Sequence, residues 1–245
     1  MSELQHPASQ AFEVVAELYE RVRPSYPEKA VDWLVEQLGI DVKSTVLDLG
    51  AGTGKLTRAL ISRAARVIAV EPGPEMLAQL RYAVPEAEAL LAPAEAIPLP
   101  DESVDAVLCG QSFHWFRTDE ARHEIQRILR DGGGLGMIWN LRAQDDPLQQ
   151  QITELLDPFV PSGRATDAGV EAFVRQMFAE VRRRAFPFAE QLDADTVAAR
   201  IASISFVAAA PEPSRRELDK AVRALVGGSV AFRYLTEAYV TFNVV

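Results

Sequence analysis

The sequence predicts an α/β fold: a doubly wound, mostly parallel sheet with helices on both faces. Three observations carry that expectation. Short apolar runs alternate with stretches of helical spacing through the first half of the chain. The first run leads straight into a glycine-rich turn and then into an amphipathic helix. The chain has 245 residues, 48% hydrophobic and 24% charged, which suits one sizeable core rather than a disordered polymer.

The elements follow in order. Ala11 to Tyr19 and Glu28 to Leu38 read as helices separated by the breaker Pro24-Ser-Tyr-Pro27. Thr45–Gly50 is the first strand, Arg66–Glu71 the second, Ala87–Ala92 a weaker third, Val104–Cys109 the fourth and Gly134–Trp139 the fifth. Between them Leu56, Leu60 and Ile61 fit one helical face; Met76, Leu77 and Leu80 fit another. Ile125, Ile128 and Leu129 fit a third, stopped by Asp131-Gly-Gly-Gly134. Beyond Trp139 helices are expected from Asp145 to Asp157, Val170 to Val181, Asp193 to Ile204 and Ser214 to Val226, the last two with polar N-caps. Ala185–Phe188 reads as an edge strand because of Pro187, and Tyr239–Val245 as a closing strand. Right-handed crossovers place the C-terminal strand ends on one rim, where such sheets bind ligands.

Charge and cysteine content exclude several functions. Lys and Arg total 25 against 35 Asp and Glu, a formal charge of −10, so nucleic acid and anionic membranes are not expected partners. Cys109 is the only cysteine, which excludes an intramolecular disulfide and C-x-x-C metal or redox sites. Three scattered histidines without H-x-x-x-H predict no metal site. Met1-Ser-Glu-Leu-Gln-His-Pro7 has neither the basic nor the apolar part of a signal peptide, and no apolar stretch approaches ~18 residues. A cytoplasmic setting is therefore expected.

The strongest motif is Val46-Leu-Asp48-Leu-Gly50-Ala51-Gly52-Thr-Gly54-Lys55-Leu56. Glycines there permit positive φ and close approach of a ligand to backbone, and the helix start presents free N–H groups. A phosphate-cradling G-x-x-x-x-G-K-[ST] loop fails twice, at Leu49 and at Leu56. A dinucleotide G-x-G-x-x-G fails because position 55 is lysine and Gly54 stands one place early. That leaves acid-x-Gly-x-Gly-x-Gly, which suits a ligand without a pyrophosphate. Glu71 ends the second strand, and a carboxylate there can accept from both hydroxyls of a ribose.

In these residues the chain resembles the class I S-adenosylmethionine-dependent methyltransferases, of the small-molecule, methyltransferase-11-like type. Residues 40–140 carry the resemblance: the glycine loop, Glu71-Pro72 through Met76, Ala92-Pro-Ala94-Glu95, Val104-Asp105-Ala-Val107, and Arg127-Ile-Leu-Arg-Asp-Gly-Gly133. The resemblance implies a Rossmann-like seven-stranded sheet with the final strand antiparallel beside the fifth. It also implies a single domain over 1–245, with an N-terminal strap (1–39) and lid elements (141–245). S-adenosyl-L-methionine is the implied cofactor, with Asp48, Gly50, Ala51, Gly52, Gly54, Glu71, Pro72, Met76, Ala94, Glu95 and Gln111 as its contacts. Where relatives often carry an acid for the adenine amino group, this chain has Pro93, so that contact passes to Ala94 or Glu95.

The acceptor side is expected after the fourth strand. Gln111-Ser-Phe-His114-Trp115-Phe116 resembles a Q-[AS]-F-H-W-F run of one family subset, and histidine changes charge near neutral pH. His114 is the catalytic candidate, as a base or as a partner for a substrate carboxylate, with Trp115 and the phenylalanines as apolar walls. Tyr19-Glu-Arg-Val-Arg23-Pro-Ser-Tyr-Pro27 resembles a Y-x-x-x-R-P-x-Y-P segment of the same subset and could close over the cofactor, with Arg23 or Tyr19 near its carboxylate. Tyr19 and Arg23 join His114 and Trp115 as substrate-binding candidates. The implied activity is methyl transfer to a small molecule, at a carboxylate or hydroxyl oxygen. The alternative is a non-catalytic S-adenosylmethionine-binding module on the same fold.

Overall fold

A computed structural model describes residues 20, 22–116, 118–160 and 170–244. Seven strands form its central sheet: β1 (Thr45–Leu49), β2 (Arg66–Glu71), β3 (Glu88–Leu91), β4 (Val104–Gly110), β5 (Leu129–Arg142), β6 (Arg182–Leu192) and β7 (Val230–Thr241). Their order is β3-β2-β1-β4-β5-β7-β6. β1 to β5 pair in parallel, and β7 runs antiparallel between β5 and β6. The order reverses between β1 and β4, so the C-terminal ends of these two strands flank the switch point.

Helices α1 (Glu28–Leu38), α2 (Lys55–Leu60), α3 (Pro74–Ala83) and α4 (Asp119–Ile128) cover the parallel half. Strand alternation sorts the core into two layers. Val46, Ala106, Leu108, Ile138 and Ala238 point toward α1 and α2, where they meet Leu34, Leu38, Leu56 and Leu60. Leu47, Leu49, Val107, Met137, Trp139 and Tyr239 point the other way, toward Ile125 and Ile128 of α4. Each such buried aliphatic side chain contributes about 1.5–3 kcal/mol. A third cluster lies beyond the sheet rim. There α5 (Pro147–Leu156), α7 (Ala194–Ala202), α8 (Ser205–Ala208) and α9 (Glu212–Val226) enclose Leu192, Phe232 and Tyr234 from the rim ends of β6 and β7.

Several boundaries differ from the sequence expectation. α4 ends at Ile128 and β5 begins at once with Leu129, which pairs with Val104 before the register shifts to Ala106 opposite Gly134. Asp131-Gly-Gly-Gly134 is therefore a bulge within a strand rather than a helix stop. Gly132 has φ +80° there, and a Cβ at Gly133 would stand 2.9 Å from the Asp105 carbonyl. β6 is an 11-residue edge strand, with Pro187 tolerated because only β7 pairs with it. β7 starts at Val230, nine residues before the expected strand, and ends at Thr241. α9 begins at Glu212 after Pro211 with no side-chain cap, so the N-cap expected near Ser214 is absent; Asp193 does cap α7, accepting from Thr196 N. The helix from Val170, α6 (Val170–Met177), stops four residues short of Val181. The helix expected over Ala11–Tyr19 lies outside the described residues.

Two motif residues prove to be architectural. The Asp105 carboxylate accepts from the backbone N–H of Thr45 at 2.7 Å and from Arg130 at 2.6 Å, which aligns the starts of β1, β4 and β5. Arg127 donates to the carbonyls of Ile97 and Leu99 and to Asp101, holding the 97–101 loop against α4. After β4 a short 3-10 turn (Phe113–Trp115) inserts Phe113 completely into the core, within 6.0 Å of the rings of Phe116, Phe173 and Phe178. Phe113 thus pins the rim turn to α6. Phe113→Ala should destabilise the fold by about 3–5 kcal/mol in urea unfolding; a change under about 1 kcal/mol would show that the turn is held by something else.

Candidate active site

The glycine loop bends because three of its residues take left-handed backbone: φ is +68° at Gly50, +57° at Gly52 and +88° at Gly54. The loop is stitched to β2, since Gly50 and Ala51 N–H both donate to the carbonyl of Val70. A Cβ at Gly50 would lie 2.6 Å from Ser112 Cβ, so the loop packs directly on the rim turn after β4. Ser112 Oγ completes that joint by donating to the Leu49 carbonyl at 2.7 Å. A Cβ at Gly54 would crowd Leu80 of α3 at 3.0 Å, whereas one at Gly52 would meet nothing within 4 Å. Gly52 therefore faces open space.

Two carboxylates frame the loop. Glu71 is buried; its Oε2 accepts from Gly52 N–H at 2.8 Å and its Oε1 from Gly73 N–H at 2.9 Å. Asp48 is fully buried on the α2 side of β1, where Oδ2 accepts from Thr57 Oγ1 at 2.6 Å. Its Oδ1 has no hydrogen-bond partner among the described residues. Burial, aided by repulsion from Glu71, lifts the Asp48 carboxyl from 3.8 to about 7. Burial likewise raises the Cys109 thiol, making it an inert core group rather than a nucleophile.

The other expected residues lie along the same rim. Pro72 is exposed at the end of β2, with Met76 buried beneath Gly73. Ala94 is buried, and half-buried Glu95 accepts from Thr118, the N-cap of α4. Gln111 holds φ +57°, unusual for a side-chain-bearing residue. It is fixed there by its N–H to the Ile138 carbonyl and its Nε2 to the Asn140 carbonyl. His114 and Trp115 are half-buried with ring centroids 4.8 Å apart. Of the two phenylalanines expected as walls, Phe113 is core, as shown above. Tyr19 lies outside the described residues.

The strap crosses this rim, and sequence reasoning missed how it is attached. Glu20 accepts from Thr53 Oγ1 at 2.6 Å and from Arg58 at 2.9 Å, and its carbonyl takes Lys55 Nζ at 2.7 Å. Asn140 donates to the Ser25 carbonyl, and Arg23 to the Ser203 carbonyl at 3.1 Å. Strap, α2, β6 and α7 together line a cleft of about 570 Å³ with Glu20, Arg23, Tyr26, Lys55, Phe188 and Arg200 on its walls. Glu20 and Tyr26 stood inside the quoted strap motif without an assigned role. Arg200 sits in a stretch with no motif, where only its helical phase could have pointed to it.

Among the described residues no group of three or more His, Cys, Asp or Glu side chains could hold a metal ion, and no helix is long and apolar enough to cross a membrane. A strand order of 3-2-1-4-5-7-6 with a glycine loop after β1 and an acid ending β2 defines a nucleoside-binding α/β enzyme core. The methyltransferase domain family matches residues 47–137. An uncharacterized methyltransferase of Mycobacterium tuberculosis is 40% identical over 209 residues, covering 85% of this chain and 82% of that one. A methyltransferase-like protein of Schizosaccharomyces pombe is 38% identical over 84% of both chains. A solved candidate type II methyltransferase from Anaeromyxobacter dehalogenans superposes with a TM-score of 0.65 at 26% identity, over 89% of this chain and 96% of that one. The chain belongs to the class I S-adenosylmethionine-dependent methyltransferases, enzymes that use S-adenosylmethionine as methyl donor.

The Asp48 carboxyl makes a testable contribution to stability. Its folded value lies above the unfolded one, so ionisation favours the unfolded chain; the stability it lends is full below about pH 4 and is lost as pH rises to about 7. Asp48→Asn should therefore gain thermal stability relative to the native chain between those pH values, with the difference level above pH 7. A difference that does not vary with pH would show that Asp48 ionises normally.

Proposed function

We propose that this methyltransferase moves a methyl group to an oxygen of a small-molecule acceptor by in-line displacement at the C-terminal ends of β1 and β4. The observation that carries this reading is the joint between the two strand ends. Gly52 opens onto free space, Asp48 Oδ1 has no partner, and the Glu71 carboxylate stands beside both. An uncommitted buried acceptor, backbone bare of a Cβ and a second carboxylate fit a cationic nucleoside better than a phosphate-bearing one.

When bound, S-adenosylmethionine supplies a methyl already activated on a sulfonium sulfur. The chain's own residues would then do three things. Glu71 would accept from the ribose hydroxyls with the lone pairs left by Gly52 and Gly73. Asp48 and the backbone of Gly50, Ala51, Gly52 and Gly54 would hold the amino-acid tail. Pro72, with Met76 behind it, would border the adenine opposite Ala94 and Glu95. Gln111, locked in its uncommon backbone by Ile138 and Asn140, would border the reacting methyl. Exclusion of water and alignment at about 3–3.5 Å supply the rate enhancement, because the leaving group needs no further activation. A carboxylate acceptor needs no base, whereas a hydroxyl does; His114 is the side chain after β4 able to take that proton.

Glu71→Ala should weaken binding of S-adenosylhomocysteine by at least about tenfold in calorimetry, the usual cost of losing a charge-assisted hydrogen bond, and Gly52→Val should weaken it comparably by putting a branched side chain into the open space at a backbone φ of +57°. Native-like affinity in both variants would move the cofactor elsewhere. His114→Ala should keep that affinity while lowering kcat. A loss of about 10²-fold or more, with the pH dependence of kcat abolished, marks a base acting on a hydroxyl. A smaller, pH-independent loss marks a wall beside a carboxylate, and unchanged kcat removes His114 from the site.

A further inference from the structure

The cleft under the strap carries a charge pattern at odds with the rest of the molecule. The chain is acidic, at −10 overall. The cleft is lined by four cationic side chains, Arg23, Lys55, Arg58 and Arg200, against two carboxylates, Glu20 and Glu190, an excess of two positive charges. Lys55 and Arg58 are spent on Glu20. Arg200 is different. Its side chain is 7% exposed; Nη1 serves both Glu190 and the Tyr234 hydroxyl, while Nε meets no acceptor among the described residues. A buried guanidinium with a donor left over is costly unless an anion completes it. Tyr234 and Glu190 keep Arg200 charged despite its burial.

One wall of the cleft, Tyr26, packs on the end of β4: a Cβ at Gly110 would stand 2.7 Å from Tyr26 Oη. The cleft's volume, about 570 Å³, falls in the range for a small organic ligand.

We propose that this cleft selects a small dicarboxylate as methyl acceptor, with one carboxylate anchored by Arg200 and Arg23 and the other presented for methylation at Tyr26, the wall that adjoins the end of β4. The proposal rests on the reading of methyl transfer at this rim and adds the acceptor's class. Two carboxylates are required because an oxygen clamped by arginine has its lone pairs occupied in accepting hydrogen bonds and is a poor nucleophile. The methylated group must therefore be a second one, and an excess of two positive charges suits a dianion. In the step, a lone pair of the free carboxylate oxygen forms the O–CH3 bond as the C–S bonding pair returns to sulfur. A carboxylate and a sulfonium become a neutral ester and a thioether, and no proton is released. His114 then acts as a wall beside the acceptor.

The test uses the full chain saturated with S-adenosylhomocysteine, whose binding is measured first. If that compound does not bind, the cofactor reading fails, and the acceptor proposal with it. With it bound, succinate, maleate, glutarate and adipate are titrated by thermal shift and calorimetry beside their monoamides. At least one diacid should bind, and its monoamide at least about tenfold more weakly. The same diacid should yield a monomethyl ester when S-adenosylmethionine is supplied. Arg200→Met should raise KM for it by at least about tenfold while S-adenosylhomocysteine affinity stays within about twofold. Arg23→Gln, at a less buried position, should act in the same direction if Arg200→Met does not fold. The proposal is overturned if no diacid binds the loaded native protein, or if monoamides bind as well as diacids. It is equally overturned if the arginine variants lose S-adenosylhomocysteine instead, which would assign the cleft to the cofactor's own carboxylate.

Discussion

The carboxylate of Glu71 joins two pieces of chain at the rim. One oxygen takes the N–H of Gly52 in the loop after β1, and the other takes Gly73 in the loop after β2. Because Glu71 is the last residue of β2, its backbone position is set by the parallel pairing of β2 with β1 and β3. The geometry of the glycine loop is thereby referred to the sheet, not to a mobile surface. Each carboxylate oxygen has lone pairs remaining, so the same group that shapes the loop can receive a ligand without surrendering its structural bonds. Gly50, pressed against Ser112, extends the reference frame to β4. The glycine loop and the turn after β4 are thus held by one rigid strand pair, which is the condition for aligning any two reactants bound there.

The strap adds a second layer of control through charge. Glu20 gathers Thr53 from within the glycine loop and Lys55 and Arg58 from just past it, and so fastens residue 20 over the start of α2. Burial pulls the Lys55 ammonium below its ordinary value while Glu20 pushes it back up, so the pair holds together at the cost of desolvation. Exposed ion pairs elsewhere, such as Arg216 with Glu212, add little beyond solubility. The difference is burial: the charges near the cleft sit where water is scarce and interactions between charges are correspondingly stronger.

The parallel half of the fold was legible because its strands are continuous apolar runs and its turns carry glycine at positions that need positive φ. The antiparallel end was not. β6 reads as Arg-Arg-Arg-Ala-Phe-Pro-Phe, with charge, proline and aromatics mixed, because an edge strand has no buried pattern to impose. Its true length is set by β7, which it follows over 11 residue pairs. The early start of β7 is equally hidden, since Val230–Tyr234 packs into the helical cluster with Phe232 and not into the sheet core. At the site, the glycine loop and Glu71 announced themselves by spacing. Phe113 did not separate from His114 and Trp115, because a 3-10 turn has no apolar period that tells inside from outside. Arg200 was silent for a different reason: its meaning lies in Tyr234 and Glu190, which are distant in sequence and meet it only after β6, β7 and α7 assemble.

That last point bears on how selectivity could arise in so widely shared a fold. In the proposed function the donor side is built from the neighbouring strand ends of β1 and β2, whose relation is fixed by their parallel pairing. The cleft draws one wall from the strap, one from α2, one from β6 and one from α7. Three of these four, the strap, β6 and α7, lie outside the βαβ unit that carries the Glu71 joint; only α2 is its crossover helix. A buried guanidinium there is held by Glu190 and Tyr234, which come from two strands paired antiparallel at the sheet's far end. The anchor on α7 and its partners on β6 and β7 all lie apart from the loop that Glu71 holds, and the strap supplies the facing side chains. Under the proposed function, the antiparallel end is therefore the part of the molecule in which acceptor choice can vary while the methyl-donor geometry stays fixed.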